Sequence, residues 1–243
     1  MKRMFWALAG WGLLLSATGQ SKATFFVYTT RAAFDAANPG LPVEDFEKAR
    51  VAATSSAFIF SLLSSTTSNS VFSPGDILPG LTVSTLSGFG LLVLGTGDVT
   101  GTTKAVGSFH GDDNLTLTFP LGVSAVGTDF FAAIVPNLPG PAEGDTFLIT
   151  VSGAGGFLGL ATAFELAGHT TFIGVSDNTE LITGLKVEKL DPRTNTFVDN
   201  VAFGSPSVAS AVPEPASITL LGIGLTGLAG CFLRRRKKVL AIA

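Results

Sequence analysis

From Thr24 onward the chain is punctuated every few residues: short runs rich in Val, Ile, Phe and Thr alternate with clusters of Gly, Pro, Asn, Asp and Ser. β-Branched and aromatic side chains suit a pleated, half-buried surface, and the punctuating residues favour turns, so each run reads as a strand. Leu115-Thr116-Leu117-Thr118-Phe119 alternates cleanly, which puts its apolar side chains on one face. Thr146–Val151 and Thr171–Val175 are denser and read as more buried strands. Leu181–Leu190 and Thr196–Phe203, separated by Asp191-Pro192-Arg193-Thr194-Asn195, read as a hairpin with a polar loop. Roughly eleven such strands, with turn signals between them, suit a sandwich.

One helix stands out: Thr30–Ala37, with Thr29 or Thr30 as N-cap and Asn38-Pro39-Gly40 as its stop. Strand–helix alternation does not recur, which argues against a parallel sheet. The expected fold class is all-β: a jelly-roll-like antiparallel β-sandwich with a short N-terminal helix, plus a single C-terminal transmembrane helix.

The ends obey different rules. Met1-Lys2-Arg3 is basic, Met4–Leu15 is uncharged and apolar, and Ser21-Lys22-Ala23 places small residues at −3 and −1 of a cut before Thr24. That order is a secretory signal peptide over residues 1–23. At the other end Ile218–Leu233, sixteen residues, has no charged side chain. Ala216 and Ser217, with snorkelling by Arg234, bring it close to the ~20 residues that span a bilayer. Arg234, Arg235, Arg236, Lys237 and Lys238 follow at once, a stop-transfer cluster that keeps this end in the cytoplasm and the body outside. The division expected is therefore a signal peptide (1–23), a β domain (24–203), a Pro/Ser/Ala linker (204–216), a span (217–233) and a basic tail (234–243).

These ends mask the character of the body. Thr24–Val212 holds seven Lys and Arg against seventeen Asp and Glu, a formal charge of −10, whereas the whole chain carries −3. An acidic surface excludes nucleic acid and anionic lipid as natural partners and is compatible with divalent cations. The single cysteine, Cys231, falls inside the span, so the body folds without disulfides.

The linker ends in Val212-Pro213-Glu214-Pro215. Both prolines fix their own φ and bias the preceding residue to extended backbone, presenting Glu214 in a form that a membrane enzyme can read. This motif, the apolar span and the Arg-rich end together resemble the PEP-CTERM sorting signal of exported Gram-negative proteins. The resemblance covers Val212–Lys238, with Val239–Ala243 as an extra apolar tail. It implies an exosortase-like membrane processing enzyme as partner. It also implies anchoring in the inner membrane before processing, then the cell surface or extracellular matrix, often beside exopolysaccharide.

Catalytic patterns are sparse. His110 and His169 sit near glycines and read as exposed loop residues; a zinc cage would need both plus carboxylates. No Gly-x-Ser-x-Gly elbow occurs, and Gly122–Gly127 has the wrong spacing. Gly222-Ile223-Gly224-Leu225-Thr226-Gly227 fits a dinucleotide fingerprint in letters only, because it lies in the span with no preceding strand. Asp112-Asp113 reads as a turn. Trp6 and Trp11 leave with the leader, and the body keeps Tyr28 against 18 Phe. Phe suits a core better than an exposed sugar-binding platform.

Asp45-Phe46-Glu47, Leu115–Phe130 and Phe197–Phe203 also resemble segments of ectodomains that carry this signal and of carbohydrate-binding-like jelly rolls. That resemblance implies a structural calcium held by Glu47, on an early acidic strand, and Asp199, near the terminal strand; alternation would set Asp45 and Glu47 on one face. The function expected is a non-enzymatic structural or adhesive surface protein, with a carbohydrate-binding module acting on exopolysaccharide as the alternative.

Overall fold

The computed structural model describes residues 25–60, 62–86, 88–98, 103–110, 113–134, 145–165, 169–190 and 194–205. The leader, the Val212–Pro215 motif, the span and the basic tail lie outside the described residues. No described helix is long and apolar enough to cross a membrane.

In chain order the elements are β1 (Phe25–Tyr28), α1 (Arg31–Ala37), β2 (Val43–Glu44), β3 (Ser56–Ile59), β4 (Leu63–Ser64), β5 (Thr82–Thr85) and β6 (Leu91–Leu94). They continue with β7 (Ala105–Ser108), β8 (Leu115–Val123), β9 (Ala125–Ile134) and β10 (Asp145–Gly153). Last come β11 (Gly156–Glu165), β12 (Thr171–Asp177), β13 (Ile182–Lys189) and β14 (Thr194–Gly204). Two antiparallel sheets result: β1-β12-β9-β14-β7-β6-β3, with β2 also on β14, and β11-β10-β13-β8-β5-β4. The described residues thus hold fourteen strands where about eleven were read. The two-residue pairings at Val43–Glu44 and Leu63–Ser64 are too short to show a period in sequence.

Alternation decides the core. Leu115, Leu117 and Phe119 of β8 are fully buried, as are Phe147, Ile149 and Val151 of β10. Across from them Val126 and Phe130 of β9, Val175 of β12 and Val198 of β14 face inward from the larger sheet. The rings of Phe130 and Phe147 meet at 5.9 Å between the sheets. Burying each such large side chain contributes about 1.5–3 kcal/mol, and this shared interior binds the sheets into one sandwich.

The expected hairpin over 181–203 does not form. β13 pairs with β10 and β8 in the smaller sheet, whereas β14 pairs with β9, β7 and β2 in the larger one. The two strands therefore belong to different sheets instead of lying side by side. β14 is buried on both faces from Thr194 to Asp199, so it takes a central place among strands rather than a hairpin edge.

The helix forms where expected. Thr30 caps it, its hydroxyl accepting from the Ala33 N–H, and the Asn38 N–H and side-chain amide both donate to the Phe34 carbonyl at its end. Phe34, fully buried, anchors α1 on the outer face of the larger sheet between Tyr28 and Phe172. It fits because Gly174 of β12 and Gly127 of β9 lie opposite each other, and a Cβ on either would press into its ring.

Candidate functional site

α1, β9 and β14 together build a polar site on the outer face. In register, Asp199 of β14 stands directly across from Asp129 of β9, an arrangement that like charges disfavour. The ladder then slips between Asp199 and Ala202, and Asn200 takes a left-handed φ of 50° at this bulge. Asn tolerates that conformation, which aims its amide at both acids: Nδ2 donates to Asp129 Oδ2 and to Asp199 Oδ2, each at 3.1 Å. Arg31 of α1 adds a 3.1 Å ion pair to Asp129 and a 2.7 Å bond to the Asn200 carbonyl, while lying 4.7 Å over the Phe172 ring.

Asp199 itself is 4 % exposed. Its carboxylate accepts from the Thr103 hydroxyl at 2.6 Å and the Asn200 N–H at 2.6 Å. Burial nevertheless dominates, and with the neighbouring charges of Asp129 and Glu47 it pushes the Asp199 carboxyl up to about 6, against those hydrogen bonds.

The structure brings Glu47 to the same place, but not on a strand. β2 ends at Glu44; Phe46 has a left-handed φ of 54° and the Glu47 N–H donates to Asp45 Oδ1 at 3.1 Å. This turn removes the alternation expected of Asp45 and Glu47. Glu47 Oε1 accepts from the Lys104 N–H at 2.8 Å, so Thr103 and Lys104 connect the two acids. The Lys104 ammonium in turn donates to the carbonyls of Glu47 and Ala49, at 2.8 and 2.7 Å. Calcium takes six to eight oxygens. Here two local carbonyls already hold a lysine, the Asp199 carboxylate is surrounded by donors, and the described residues contain no group of three or more His, Cys, Asp or Glu able to hold a metal. Among the described residues, the donor set as arranged does not fit that ion.

A second acid, not singled out in the sequence, is Glu44. It is 3 % exposed, and its carboxylate accepts from the Phe46 and Leu78 N–H groups at 2.9 and 2.7 Å. Burial raises its pKa in spite of these bonds. It clasps the loop before β5 to the turn after β2, a structural task.

Beside the Asp129–Arg31 pair opens a cavity of about 450 Å³, lined by Arg31, Asp35, Asn38, Asp129 and Asn200 with Leu41 as an apolar wall. Arg31 Nε is buried there without a partner among the described residues. Donors and acceptors at this density can pair with the vicinal hydroxyls of a small polar ligand.

The other half of the outer face is aromatic. Phe58 of β3 lies opposite Leu92, and Ala57 and Ile59 point the other way into the core. Phe58 meets Phe60 at 4.3 Å and Phe109 at 4.4 Å; Phe109 meets His110 at 5.5 Å, and His110 meets Phe89 at 5.0 Å. Phe60 is 85 % exposed, and Phe89 and Phe109 are exposed as well. The expectation that phenylalanine fills the core holds for Phe34, Phe119, Phe130 and Phe147 and fails here, because nothing among the described residues covers this end of the sheet. His110 and His169 are exposed loop residues, and Asp113 is buried in the turn before β8.

Comparison with known proteins matches the PEP-CTERM protein-sorting motif at residues 211–237. No curated protein matches the chain. Among solved structures it is similar to the high-resolution crystallographic structure of the Clostridium thermocellum N-terminal endo-1,4-beta-D-xylanase 10B, CBM22-1–GH10 modules complexed with xylohexaose. Identity is 12 %, the match covers 68 % of this chain and 28 % of that one, and the TM-score is 0.34, too loose a likeness to say anything about ligand. The sorting motif sits where Val212-Pro213-Glu214-Pro215, the apolar run and the basic cluster coincide. The chain is a β-sandwich protein bearing a C-terminal PEP-CTERM sorting motif, the mark of an exported substrate of an exosortase.

Proposed function

We propose that the sandwich is a non-enzymatic adhesive module, exported through the 1–23 signal peptide, held at the inner membrane by the 217–233 span, and passed by its exosortase to the cell surface or extracellular matrix. The observation that carries this reading is the exposed, mutually touching chain of rings Phe60–Phe58–Phe109–His110–Phe89 on an acidic domain. Contiguous exposed apolar surface marks an interaction site, and rings offer large contact area at low entropic cost. Replacing Phe60 and Phe89 with serine removes that area without touching the core. The doubly substituted protein should mature normally yet be shed into the medium instead of staying with the surface fraction. Equal retention of both forms would remove the adhesive reading.

A second reading, carbohydrate binding to the producer's exopolysaccharide in a jelly-roll-like module, draws on the cavity at Arg31, Asp129 and Asn200. Its test is a glycan array probed with the unmodified body and with Asn38→Ala. Binding of one saccharide class that the variant loses supports this reading, and an array with no signal refutes it.

A further inference from the structure

The smaller sheet ends on β11, ten residues long, which pairs with β10 alone among the described strands. Along its other edge no described strand takes up the backbone N–H and C=O groups. Natural sheets usually protect such an edge with lysine, proline, a covering element or a very short strand. β11 has no lysine or proline, is long, and no described strand lies along its outer edge; its one irregularity, a slip of register with β10 at Leu158, falls near its start and leaves Gly159 to Phe164 regular. From Thr146 to Phe164 there is no charged residue and no proline, in a body that carries −10 overall. On its solvent side β11 sets out Leu160, Thr162 and Phe164, with Leu160 51 % and Phe164 60 % exposed, while Ala161 and Ala163 close the core. The one charge on β11, Glu165, is its last residue, so the stretch from Gly156 to Phe164 carries no like charge to repel a second copy.

We propose that β11 pairs antiparallel with β11 of a second copy, joining two smaller sheets into one continuous sheet across a two-fold axis. A strand edge selects another strand because only an extended backbone satisfies its ladder. A symmetric register also matches the side chains. Centred on Thr162, it sets Thr162 opposite Thr162 and Leu160 opposite Phe164 on the outer face, with Ala161 opposite Ala163 inside. Shifting by one residue would put outer side chains against inner ones, so the alternation itself selects even shifts. The patch at Phe60 lies on the other sheet, at its β3 end, so this pairing goes beyond the adhesive reading and does not depend on it.

The test uses the full chain in detergent micelles with Cys231→Ser, so that an introduced thiol stands alone. Cysteine at position 162 would face its own copy at about 4.5–5.5 Å between Cβ atoms, close to disulfide geometry. Thr162→Cys should oxidise to a covalent dimer in high yield, while Leu121→Cys, at an 89 % exposed site on β8, should cross-link only by chance collision. Adding Leu160→Lys and Phe164→Lys should return Thr162→Cys to that control level, because lysines then face lysines across the axis. Cross-linking of Thr162→Cys no better than Leu121→Cys, or unchanged by the two lysines, would overturn the pairing. Surface retention of the Phe60→Ser, Phe89→Ser protein is read separately, so either idea can fail without the other.

Discussion

Replacing Asp199 with asparagine should make the domain more stable at neutral pH, an unusual outcome for a buried, fully hydrogen-bonded side chain. The carboxyl is 4 % exposed, faces Asp129 across the ladder and has its pKa pushed up to about 6, chiefly by burial. In the unfolded chain an aspartate returns to about 3.9. Between those values the folded form holds a proton that the unfolded form has lost. Stability is therefore greatest below about pH 4, falls as pH rises towards 6, and is level above it. Two pH units correspond to about 3 kcal/mol, an upper bound on the cost of the charged form at pH 7.5. Asparagine keeps the volume and one oxygen for the Thr103 hydroxyl, but its amide nitrogen then faces the Asn200 N–H, a donor against a donor, which subtracts from the gain. Chemical denaturation of residues 24–212 at pH 4.5, 6.0 and 7.5 would measure the effect. Asp199→Asn should gain roughly 1–3 kcal/mol over the unmodified body at pH 7.5 and little at pH 4.5. Glu44 titrates in the same direction but is present in both proteins and cancels in the difference. A variant that is less stable at pH 7.5, or a difference that does not change with pH, would refute the reasoning.

Two further outcomes follow from particular contacts. Because the Lys104 ammonium holds the Glu47 and Ala49 carbonyls, millimolar calcium should not move the melting temperature of the unmodified body relative to chelator, and Lys104→Met should cost about 1–2 kcal/mol; a calcium-dependent rise in the unmodified protein would place an ion there after all. Gly174→Ala drives a methyl into the Phe34 ring, so thermal melts should show a loss of about 1–3 kcal/mol, and an unchanged melt would mean that α1 is not seated on this face.

Which features were legible in the sequence follows from what a period of two can encode. Alternation at Leu115–Phe119 fixed which side chains face the core, and the Thr30 and Asn38 signals bounded the helix. Period says nothing about a strand's neighbours, so β13 and β14 read as a hairpin although they belong to different sheets. Asp45-Phe46-Glu47 read as strand because three residues cannot show a period, and a left-handed Phe46 is not a choice that sequence favours. The approach of Glu47 to Asp199 was anticipated; Arg31, Asp129 and Asn200 were not. One signal was available, the polar pair Asp199-Asn200 interrupting the apolar Phe197–Phe203 run, which marks a bulge in a buried strand. The exposed rings around Phe60 were hidden for a simpler reason: composition counts phenylalanines but cannot tell a covered face from an open one.

The sorting motif joins this domain to its destination, and processing at that motif can be read directly. Pro213, Glu214 and Pro215 lie within the matched sorting motif and outside the sandwich, so replacing all three with alanine should abolish recognition by the exosortase while leaving the sandwich unaltered. The measurement is an immunoblot of inner-membrane, surface and medium fractions, with a tag placed just after Ala23. The unmodified chain should lose its C-terminal segment and leave the inner membrane, and the triple-alanine chain should accumulate there at full length. A triple-alanine chain that is shortened and reaches the surface like the unmodified protein would contradict exosortase sorting of this sandwich.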